Sequence, residues 1–511
     1  MPFENVDIQS FAPDLRPDTP SVLVDGDGMY PTTRGYKSMP ALVEAMPAPA
    51  GGWAYGSVTA NYLDGSSRVF VGTNTKLEEA NVVALTWADV SRATGGAYDV
   101  ATNGRWRFGQ FGNDTIAVNG NDVPQFINQS GSAFVLLPGS PPVAKYIATA
   151  QNFVMLANLS GTGVDENYWW CSAQGNDTDW TPDASSQSAN GFLKDTPGPI
   201  TGMHSIGRNI VIYKARSMYL MQYSGPPVIW RNNILSQVAG SVSNEAVVDI
   251  GGTHVFMGFS DFYIYDGSGP PKTLPGNIRE FLFEGGDLDK SHSYAVVGRW
   301  DRETDVVFWH YPSVNVDQTS DDNVVLDKWV AWNIGTDRWA VGTEEVSTAV
   351  LPELGDQLGL TYDSFGSSFA NYNTPNNVTW TGMAFTGGPK VIQGVFSPVD
   401  NKLYSYTGDP DANQSMVLGK WGDHVTYRKV NKVRPIFAKF PKANTEAKCS
   451  LYSTEILGSD EVLVSEQNIN MQTGWFDVQG DGRYVHPKFE FSGDVEVIGY
   501  VYDFIPNTGS R

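Results

Sequence analysis

The feature that most constrains the fold of this chain is a short strand–turn–strand pattern that recurs along it. Its three tightest copies join two four-residue segments through a four-residue turn, at 115–126, 210–221 and 254–265. β-branched and aromatic residues fill much of the segments, and Gly, Asn, Asp and Ser fill most of the turns, as in β-hairpins. The strands predicted to pair are Thr115–Val118 with Val123–Phe126, Ile210–Tyr213 with Met218–Met221, and His254–Met257 with Phe262–Tyr265.

Four looser copies extend the pattern to seven hairpins. They begin at Arg68, Asn152, Asp305 and Lys390, and neighbouring hairpins lie about 35 to 85 residues apart. Such a period suits a four-stranded β-propeller blade with variable loops, in which the hairpin supplies two of the four strands. Apolar residues run consecutively in these strands, as expected when neighbouring sheets cover both faces. The sequence therefore predicts an all-β fold with a β-propeller of about seven blades. Unrelated hairpins in β-sandwiches are the alternative.

Both ends of the chain differ from its middle. Residues 1–50 are rich in Pro, Asp and Gly, which predicts an extended N-terminal arm packed against another surface, with a disordered tail as the alternative. Residues 51–414 are assigned to the propeller with its insertions. Residues 415–511 contain six strand-like segments at a different spacing, which predict a separate C-terminal β-sandwich-like domain.

Helical patterns are scarce in this sequence. The segment Pro40–Met46 is expected to form one or two helical turns. The segment Asn277–Gly286 has an Asn as a candidate N-cap and a Gly as a stop signal, which predicts a short helix.

The charge balance argues against two kinds of binding. The chain has 34 Lys and Arg against 56 Asp and Glu, a net charge of −22. That balance argues against gripping nucleic acid through a broad basic surface and against a polybasic membrane surface. It does not exclude a chain that lets nucleic acid pass without holding it, since like charges repel.

Other sequence features concern the compartment in which the chain is made. Cys171 and Cys449 are too few for a disulfide framework, and we expect two buried thiols. The first thirty residues contain no apolar core of a signal peptide. No stretch approaches the roughly 20 apolar residues of a membrane span. We therefore expect neither a signal peptide nor a membrane-spanning segment.

No pattern for catalysis, cofactor binding or metal binding stands out. The histidines show no metal-ligand spacing, and the sequence has no H-E-x-x-H, G-x-S-x-G or P-loop motif. Three acidic pairs lie in loops, where such carboxylates usually form turns rather than a glycosidase or calcium site. These pairs are Asp25 with Asp27, Asp177 with Asp179, and Asp287 with Asp289. We assign no catalytic, cofactor-binding or metal-ligating residue, expect no cofactor, and expect the protein not to be an enzyme.

The chain has 15 tryptophans, a residue type that also forms sugar-binding platforms. Several lie in the predicted hairpin strands, and propeller blades often pack on such residues. We therefore expect core packing for this group, which comprises Trp169, Trp170, Trp309, Trp329, Trp332 and Trp339.

Short motifs in a fixed order give the chain a resemblance to a known family. They are "FAPDLRPDTPSVLVDGDGMYPTTRGYKSMP", "FGQFGNDTIAVNGNDVPQFIN", "SAQGNDTDW", "IGRNIVIYKARSMYLMQYSGPPVIW", "GFSDFYIYDGSGPP" and "GDGRYVHPKFEFSG". The series resembles the tail nozzle proteins of short-tailed bacteriophages (podoviruses), also described as packaged-DNA stabilisation or tail accessory proteins. The resemblance covers nearly the whole chain, and the order of the motifs carries it.

The resemblance implies a structural virion protein. Its fold would be a β-propeller with an extra β-domain built from the chain termini. Six copies would form a ring below the tail adaptor, the head-to-tail connector protein. The ring would extend the DNA channel, help to retain the packaged genome, and let double-stranded DNA pass without specific binding at ejection into the host.

The resemblance also implies partners and a place of assembly. A tail needle or fibres would be further partners, and the chain would be made in the host cytoplasm and assembled there into the virion tail. The long loop of the sixth hairpin and the Thr343–Pro375 insertion would be candidates for channel-constricting or partner-binding loops.

Two other functions stay open. One is a glycan-cleaving propeller enzyme, which needs an acidic pair roughly 5 to 10 Å apart facing a pocket. The other is a glycan- or protein-binding propeller, such as a receptor-binding tail component, which exposed Trp and Tyr at one mouth of the propeller would favour. A monomer would favour the enzyme, whereas a sixfold ring would favour the nozzle.

Overall fold

Strands dominate the structure, a computed structural model that describes residues 3–81, 84–318, 320–354, 392–410, 414–423, 425–439 and 446–506. β-strand accounts for 51% of the chain and helix for 3%, so the all-β prediction is confirmed. Seven sheets have four antiparallel strands each, and two further sheets have six strands each. Across these described ranges, no helix is long and apolar enough to cross a membrane.

The first six four-stranded sheets, numbered 1 to 6 along the chain, are meanders of four consecutive strands. Sheet 1 consists of Ala54–Asn61, Ser67–Thr73, Leu77–Asn81 and Thr86–Asp89. Sheet 2 consists of Arg107–Phe111, Asp114–Val118, Gln125–Asn128 and Val135–Leu136. Sheet 3 consists of Val143–Ala150, Phe153–Ser160, Tyr168–Cys171 and Ala189–Phe192. Sheet 4 consists of Ile200–Ile206, Asn209–Lys214, Met218–Tyr223 and Trp230–Ser236. Sheet 5 consists of Val247–Asp249, His254–Met257, Phe262–Tyr265 and Lys272–Thr273. Sheet 6 consists of Val297–Asp301, Val306–Tyr311, Leu326–Asn333 and Trp339–Val346.

Sheet 7 is assembled from two distant parts of the chain. Its first three strands are Val350–Leu354, Ile392–Phe396 and Leu403–Gly408, and its fourth is Ala41–Met46. In this pairing Met46 lies opposite Leu403 and Val43 lies opposite Ser405. The predicted helical turn at Pro40–Met46 is therefore wrong, because pairing with the edge of sheet 7 overrides the local helix propensity of Leu, Glu, Ala and Met.

The seven predicted hairpins coincide with the second and third strands of the seven sheets. The prediction matches the strand bounds of sheet 5, His254–Met257 and Phe262–Tyr265, residue for residue. In sheet 2 the second strand of the hairpin lies two residues later than predicted, at Gln125–Asn128. Of the Thr343–Pro375 insertion, residues up to Leu354 belong to strands of sheets 6 and 7 or to the turn between them, and the rest lies outside the described residues.

The continuous apolar runs have a direct structural cause. Successive side chains in a strand point to opposite faces, and here both faces are covered. In sheet 2, Ala117 packs with residues of sheet 1, whereas Ile116 and Val118 pack with residues of sheet 3. The same sharing joins each sheet to the next, and Met46 and Phe396 of sheet 7 pack with Val71 of sheet 1.

The two six-stranded sheets contain strands from both ends of the chain. Sheet 8 contains Phe3–Asp7, Met29–Pro31, Tyr36–Ser38, Arg428–Lys439, Gly480–Gly482 and Glu496–Pro506. Sheet 9 contains Leu23–Asp27, Gln414–Leu418, Trp421–Gly422, Ala447–Thr454, Val462–Asn468 and Tyr484–Phe491. The sheets face each other across one core, where the ring of Trp421 stacks on that of Tyr502 at 4.8 Å between centroids. The N-terminal strands are thus integral to this unit.

Trp339, on the last strand of sheet 6, connects the two units. Its carbonyl oxygen accepts hydrogen bonds from the Phe11 amide at 3.1 Å and from the Tyr36 hydroxyl at 2.8 Å. Its indole Nε1 donates to the carbonyl of Pro275 at 2.7 Å. These residues belong to one continuous hydrophobic core that runs from sheets 5 and 6 into sheets 8 and 9.

The short helix predicted at Asn277–Gly286 is present as one turn, Glu280–Glu284, and a second short helix covers Lys290–Ala295. The cap of the first turn comes from elsewhere in the chain. The carboxylate of Asp14 accepts hydrogen bonds from the amides of Glu280 and Phe281 at 2.7 and 2.8 Å. The N-terminal segment therefore satisfies amides that a helix start leaves unpaired.

Candidate functional site: the central cavity

A cavity of about 270 Å³, here called the central cavity, is lined by all seven four-stranded sheets or the turns that lead into them. One lining residue from each, in order of sheets 1 to 7, is Ser57, Arg107, Ile147, His204, Glu245, Gly298 and Val350. The backbones approach closely here: a Cβ on Gly298 would lie 2.3 Å from Cγ2 of Val248 on sheet 5. Glycine is required at this position because no side chain fits between the two strands.

An ion pair joins two opposite walls of the central cavity. Nε of Arg107 lies 2.6 Å from Oε1 of Glu245, and Nη2 of Arg107 lies 3.0 Å from Oε2. Arg107 begins sheet 2, and Glu245 lies just before sheet 5. The guanidinium also stacks 4.5 Å from the ring centroid of Tyr146 and donates to the carbonyl of Lys145 at 3.1 Å, both on sheet 3.

Arg105 extends this contact to two further walls. Its Nη2 donates to the carbonyl of Ala295 at 2.8 Å and its Nη1 to the carbonyl of Thr348 at 3.3 Å, just before sheets 6 and 7. Its Nη1 also lies 3.6 Å from Oε2 of Glu245. The two arginines and one glutamate thus connect sheets 2, 3, 5, 6 and 7 around a single cluster, which we call the arginine staple.

The charge state of the staple follows from its geometry. Burial raises the pKa of Glu245, but Arg107 and Arg105 outweigh it and lower the pKa to about 2. Burial lowers the pKa of Arg105 to about 10, although Glu245 opposes this shift. The staple therefore holds two cations and one anion at neutral pH, an arrangement suited to bracing the sheets against one another.

His204 is the titratable neighbour of the staple. Its Nε2 lies 2.8 Å from the carbonyl oxygen of Asn244, the residue before Glu245. Burial lowers the pKa of His204, so its ring is neutral at neutral pH and donates a hydrogen bond through Nε2. The Asn244 side chain accepts a hydrogen bond from the Met203 amide at 2.9 Å. This bond connects sheet 4 to the segment that precedes sheet 5.

None of the acidic residues paired in the sequence lines the central cavity, and most of them accept hydrogen bonds from other groups. Asp27 accepts from the amide and hydroxyl of Thr343, both at 2.7 Å. Asp287 accepts from Tyr311 at 2.6 Å and from Lys328 at 2.7 Å. Asp25, Asp179 and Asp289 accept from backbone amides of nearby residues in their loops.

Asp177 is the exception among these carboxylates. It is 7% exposed, and its Oδ2 has no hydrogen-bond partner among the described residues. Burial raises its pKa, and the charge of Asp114 adds to the shift. Over the described ranges, no group of three or more His, Cys, Asp or Glu residues could hold a metal ion.

The histidines are dispersed over the fold. Nδ1 of His254 forms a hydrogen bond of 2.7 Å with the Tyr213 hydroxyl. His254 lies in the interior of sheet 5, where burial lowers its pKa to about 4. His292 lies between two aspartates in the turn before sheet 6. His310 contacts Arg299 in sheet 6, and His486 contacts Glu461 near sheet 9. His424 lies outside the described residues.

The tryptophans and cysteines singled out from the sequence lie in the core. Five of the six tryptophans are buried and Trp170 is half-buried, so core packing is confirmed for this group. Cys171 and Cys449 are both free and fully buried, as expected. Burial raises the pKa of the Cys171 thiol to about 12, so neither its exposure nor its charge state suits a nucleophile.

The arginine staple was not predicted from the sequence. The only local signal was "GRWRFG", which places Arg105 and Arg107 around a strand start between glycines. Their partner Glu245 lies 138 residues from Arg107 in the chain. Nothing local in the sequence could therefore have paired them.

Comparisons with known proteins add no family. No protein-family model and no curated protein matches the chain. A chain in the crystal structure of the mitotic checkpoint complex is 7% identical with a TM-score of 0.38, over 72% of this chain and 94% of that chain. The extracellular domain of BT4673 from B. thetaiotaomicron is 8% identical with a TM-score of 0.41, over 81% of this chain and 43% of that chain. Likenesses this distant carry no argument about function.

Proposed function

We propose that this chain is the subunit of a tail nozzle, a structural virion protein that forms a ring at the distal end of a short bacteriophage tail. The observation that carries the proposal is the second unit of the structure, in which strands from residues 3–38 and 414–506 share two sheets. The nozzle resemblance implies such an extra β-domain built from the chain termini. The ordered motifs and this architecture therefore support the same family.

We further propose that the seven four-stranded sheets form one closed, seven-bladed β-propeller. In support, each sheet shares a hydrophobic cluster with the next, and sheet 7 shares one with sheet 1. The strand Ala41–Met46 completes sheet 7 just before sheet 1 begins. A blade that combines strands from both ends of the repeated region would close the ring of blades. A closed ring leaves only short, protected sheet edges.

The central cavity is too small to serve as the DNA channel of a nozzle. Its volume is only about 270 Å³. The arginine staple also joins its walls. In the proposed assembly, DNA passes along the axis of the subunit ring, and each propeller forms part of the wall.

The charge of the chain suits such a wall. Each subunit carries a net charge of −22, and six of them would surround the channel. A strongly acidic ring repels the phosphate backbone and lets DNA slide without adhering. The same repulsion predicts that the isolated protein does not bind double-stranded DNA at physiological salt.

The test is the oligomeric state of the full chain, alone and with the tail adaptor protein of its phage. The mass is measured by light scattering after gel filtration, and particles are imaged by negative-stain electron microscopy. We expect a sixfold ring with a central hole, formed alone or on the adaptor. A monomer that never joins the adaptor would overturn the proposal, and cleavage and binding of cell-surface polysaccharide would then be tested instead.

A further inference from the structure

A second cavity, of about 420 Å³, lies where sheets 6 and 7 meet the N-terminal strands. We call it the interunit cavity. Its walls include Tyr30 and Lys37 from the N-terminal strands, Arg299 and Phe308 from sheet 6, and Tyr406 from sheet 7. It shares no lining residue with the central cavity. Clefts between packed units are common places for small-molecule sites.

Arg299 is the chemical centre of the interunit cavity. It is 3% exposed, and its guanidinium lies between two aromatic rings, 3.9 Å from the centroid of Phe308 and 4.3 Å from that of Tyr406. Nε donates to Nε2 of His310 at 3.2 Å, and Nη1 donates to the side-chain oxygen of Gln393. Nη2 is buried and has no hydrogen-bond partner among the described residues.

The positive charge of Arg299 is also poorly balanced. Its two acceptors, His310 and Gln393, supply no negative charge: burial and the nearby Arg299 hold the pKa of His310 well below its usual range, so the ring is neutral. Glu344 is the nearest buried carboxylate: burial raises its pKa, and the charge of Arg299 opposes this shift. It accepts from the Tyr406 hydroxyl and lies 3.9 Å from Nδ1 of His310. No described carboxylate therefore pairs directly with the guanidinium, which leaves room for an anion beside it.

The rest of the lining narrows the choice of anion. Lys37 is half-exposed at the cavity wall and has no ion-pair partner among the described residues. Asp301 and Glu303 also line the cavity. The carboxylate of Asp301 accepts hydrogen bonds from the Glu303 amide at 3.0 Å and from the Thr304 hydroxyl at 2.8 Å. Two cations and two carboxylates in one cavity disfavour a multiply charged anion such as phosphate.

We propose that the interunit cavity binds a small monocarboxylate, preferably one with a positive charge at its other end. The carboxylate lies beside the guanidinium of Arg299, with Lys37 as the second cation. A cationic group of the ligand faces Asp301 and Glu303, and Tyr30 and Phe308 enclose its apolar middle. The site is independent of the nozzle proposal, because it lies within one subunit and needs no partner.

The experiment uses the full chain and three probes: γ-aminobutyrate with both charges, acetate with the carboxylate alone, and propylamine with the ammonium alone. Binding is followed by isothermal titration and by ligand-observed NMR. We expect γ-aminobutyrate to bind most tightly, acetate more weakly, and propylamine not at all. Propylamine binding as tightly as γ-aminobutyrate, or no binding of either carboxylate, would overturn the proposal.

Variants locate the binding. Arg299→Met should weaken γ-aminobutyrate binding at least about tenfold, because charge-assisted hydrogen bonds to a desolvated carboxylate are strong. Lys37→Met, at a half-exposed position, should weaken binding severalfold and keeps the test valid if Arg299→Met does not fold. Lys402→Met is the matched control and should bind normally, because this half-exposed lysine just before the strand Leu403–Gly408 lies outside the cavity. Unchanged affinity in Lys37→Met and in a folded Arg299→Met would place the ligand elsewhere and refute the site.

Discussion

Arg107 and Glu245 meet across the central cavity in a two-point ion pair, with Nε 2.6 Å from Oε1 and Nη2 3.0 Å from Oε2. Arg107 begins sheet 2 and Glu245 lies just before sheet 5, and these two sheets are not neighbours in the series of packed sheets. Both side chains are largely buried, at 10% and 20% exposure. The pair therefore fixes the separation of opposite sides of the seven-sheet unit.

Replacing one partner of this pair should destabilise the fold strongly. Glu245→Gln would leave two buried guanidinium groups without a counter-ion, and we expect a loss of about 3 kcal/mol in the free energy of unfolding. Chemical denaturation followed by tryptophan fluorescence measures this change. A loss below about 1 kcal/mol, as for an exposed pair, would contradict the role assigned to the staple.

The matched control removes both charges together. Arg107→Met combined with Glu245→Leu leaves Arg105 as the one charge of the cluster, still bonded to the carbonyls of Ala295 and Thr348. We expect the double variant to be more stable than the sum of the two single losses predicts, because neither charge of the pair is left unmatched. Strict additivity would mean that the two groups do not interact.

The strand Ala41–Met46 should be essential to sheet 7. Met46 is 1% exposed and packs with Val69, Phe396 and Leu403. Met46→Ala should therefore cost about 2–5 kcal/mol in the free energy of unfolding. Val43, in the same strand, is 45% exposed, and Val43→Ala should cost roughly 0.5 kcal/mol. Equal losses, measured by denaturation, would show that this strand is not anchored by Met46.

The sequence reveals those parts of the fold that are encoded locally. The strands His254–Met257 and Phe262–Tyr265 follow directly from two apolar runs around a turn, because both partners of the pairing lie within twelve residues. The hairpins at 210–221 and 115–126 follow in the same way. The number of four-stranded sheets could therefore be predicted from the number of hairpins.

Long-range pairing is the part that the sequence conceals. Residues 41–46 have the local propensities of a helix, and only the distant edge strand Leu403–Gly408 makes them a strand. Likewise, the cap of Glu280–Glu284 is Asp14, 266 residues from Glu280. The staple and the Arg299 environment are also built from distant residues, so no single-sequence motif indicates either cavity.

His292 should make the stability of the turn before sheet 6 depend on pH. Its Nδ1 lies 2.5 Å from Asp289 and its Nε2 lies 3.2 Å from Asp321. Burial lowers the pKa of His292, but hydrogen bonds to the two carboxylates outweigh it and raise the pKa above its usual value of 6.5. The stabilisation is fully present below the unfolded pKa and is lost as the pH rises through the folded pKa. His292→Gln should therefore destabilise the protein more at about pH 5.5 than at about pH 8.5.

The measurement must be a difference between wild type and variant. The pKa values of His204, His254, His310 and His486 are lowered, mainly by burial, so these groups destabilise the fold as the pH falls below about 6.5. Thermal denaturation of both proteins across this range separates the two effects. A wild-type-minus-variant difference that is constant with pH would show that folding does not raise the pKa of His292.

The last prediction concerns Lys214, a buried lysine that pairs with no carboxylate among the described residues. We expect its hydrogen bonds to stabilise the packing of sheets 3 and 4. It is fully buried at the end of the second strand of sheet 4, and its Nζ donates to Asn167 Oδ1 at 2.8 Å and to the carbonyls of Leu193 and Thr196 at 2.6 and 2.9 Å. Lys214→Met keeps the length of the side chain but leaves two buried carbonyls and one partly buried amide oxygen without this donor, so we expect a loss of about 3–5 kcal/mol in the free energy of unfolding. Lys194→Met is the control, because its ion pair with Asp165 is half-exposed and should be worth less than about 1 kcal/mol. If Lys214→Met were as stable as Lys194→Met, the cost of desolvating the ammonium would equal the gain from its three hydrogen bonds, and the lysine would contribute nothing to stability.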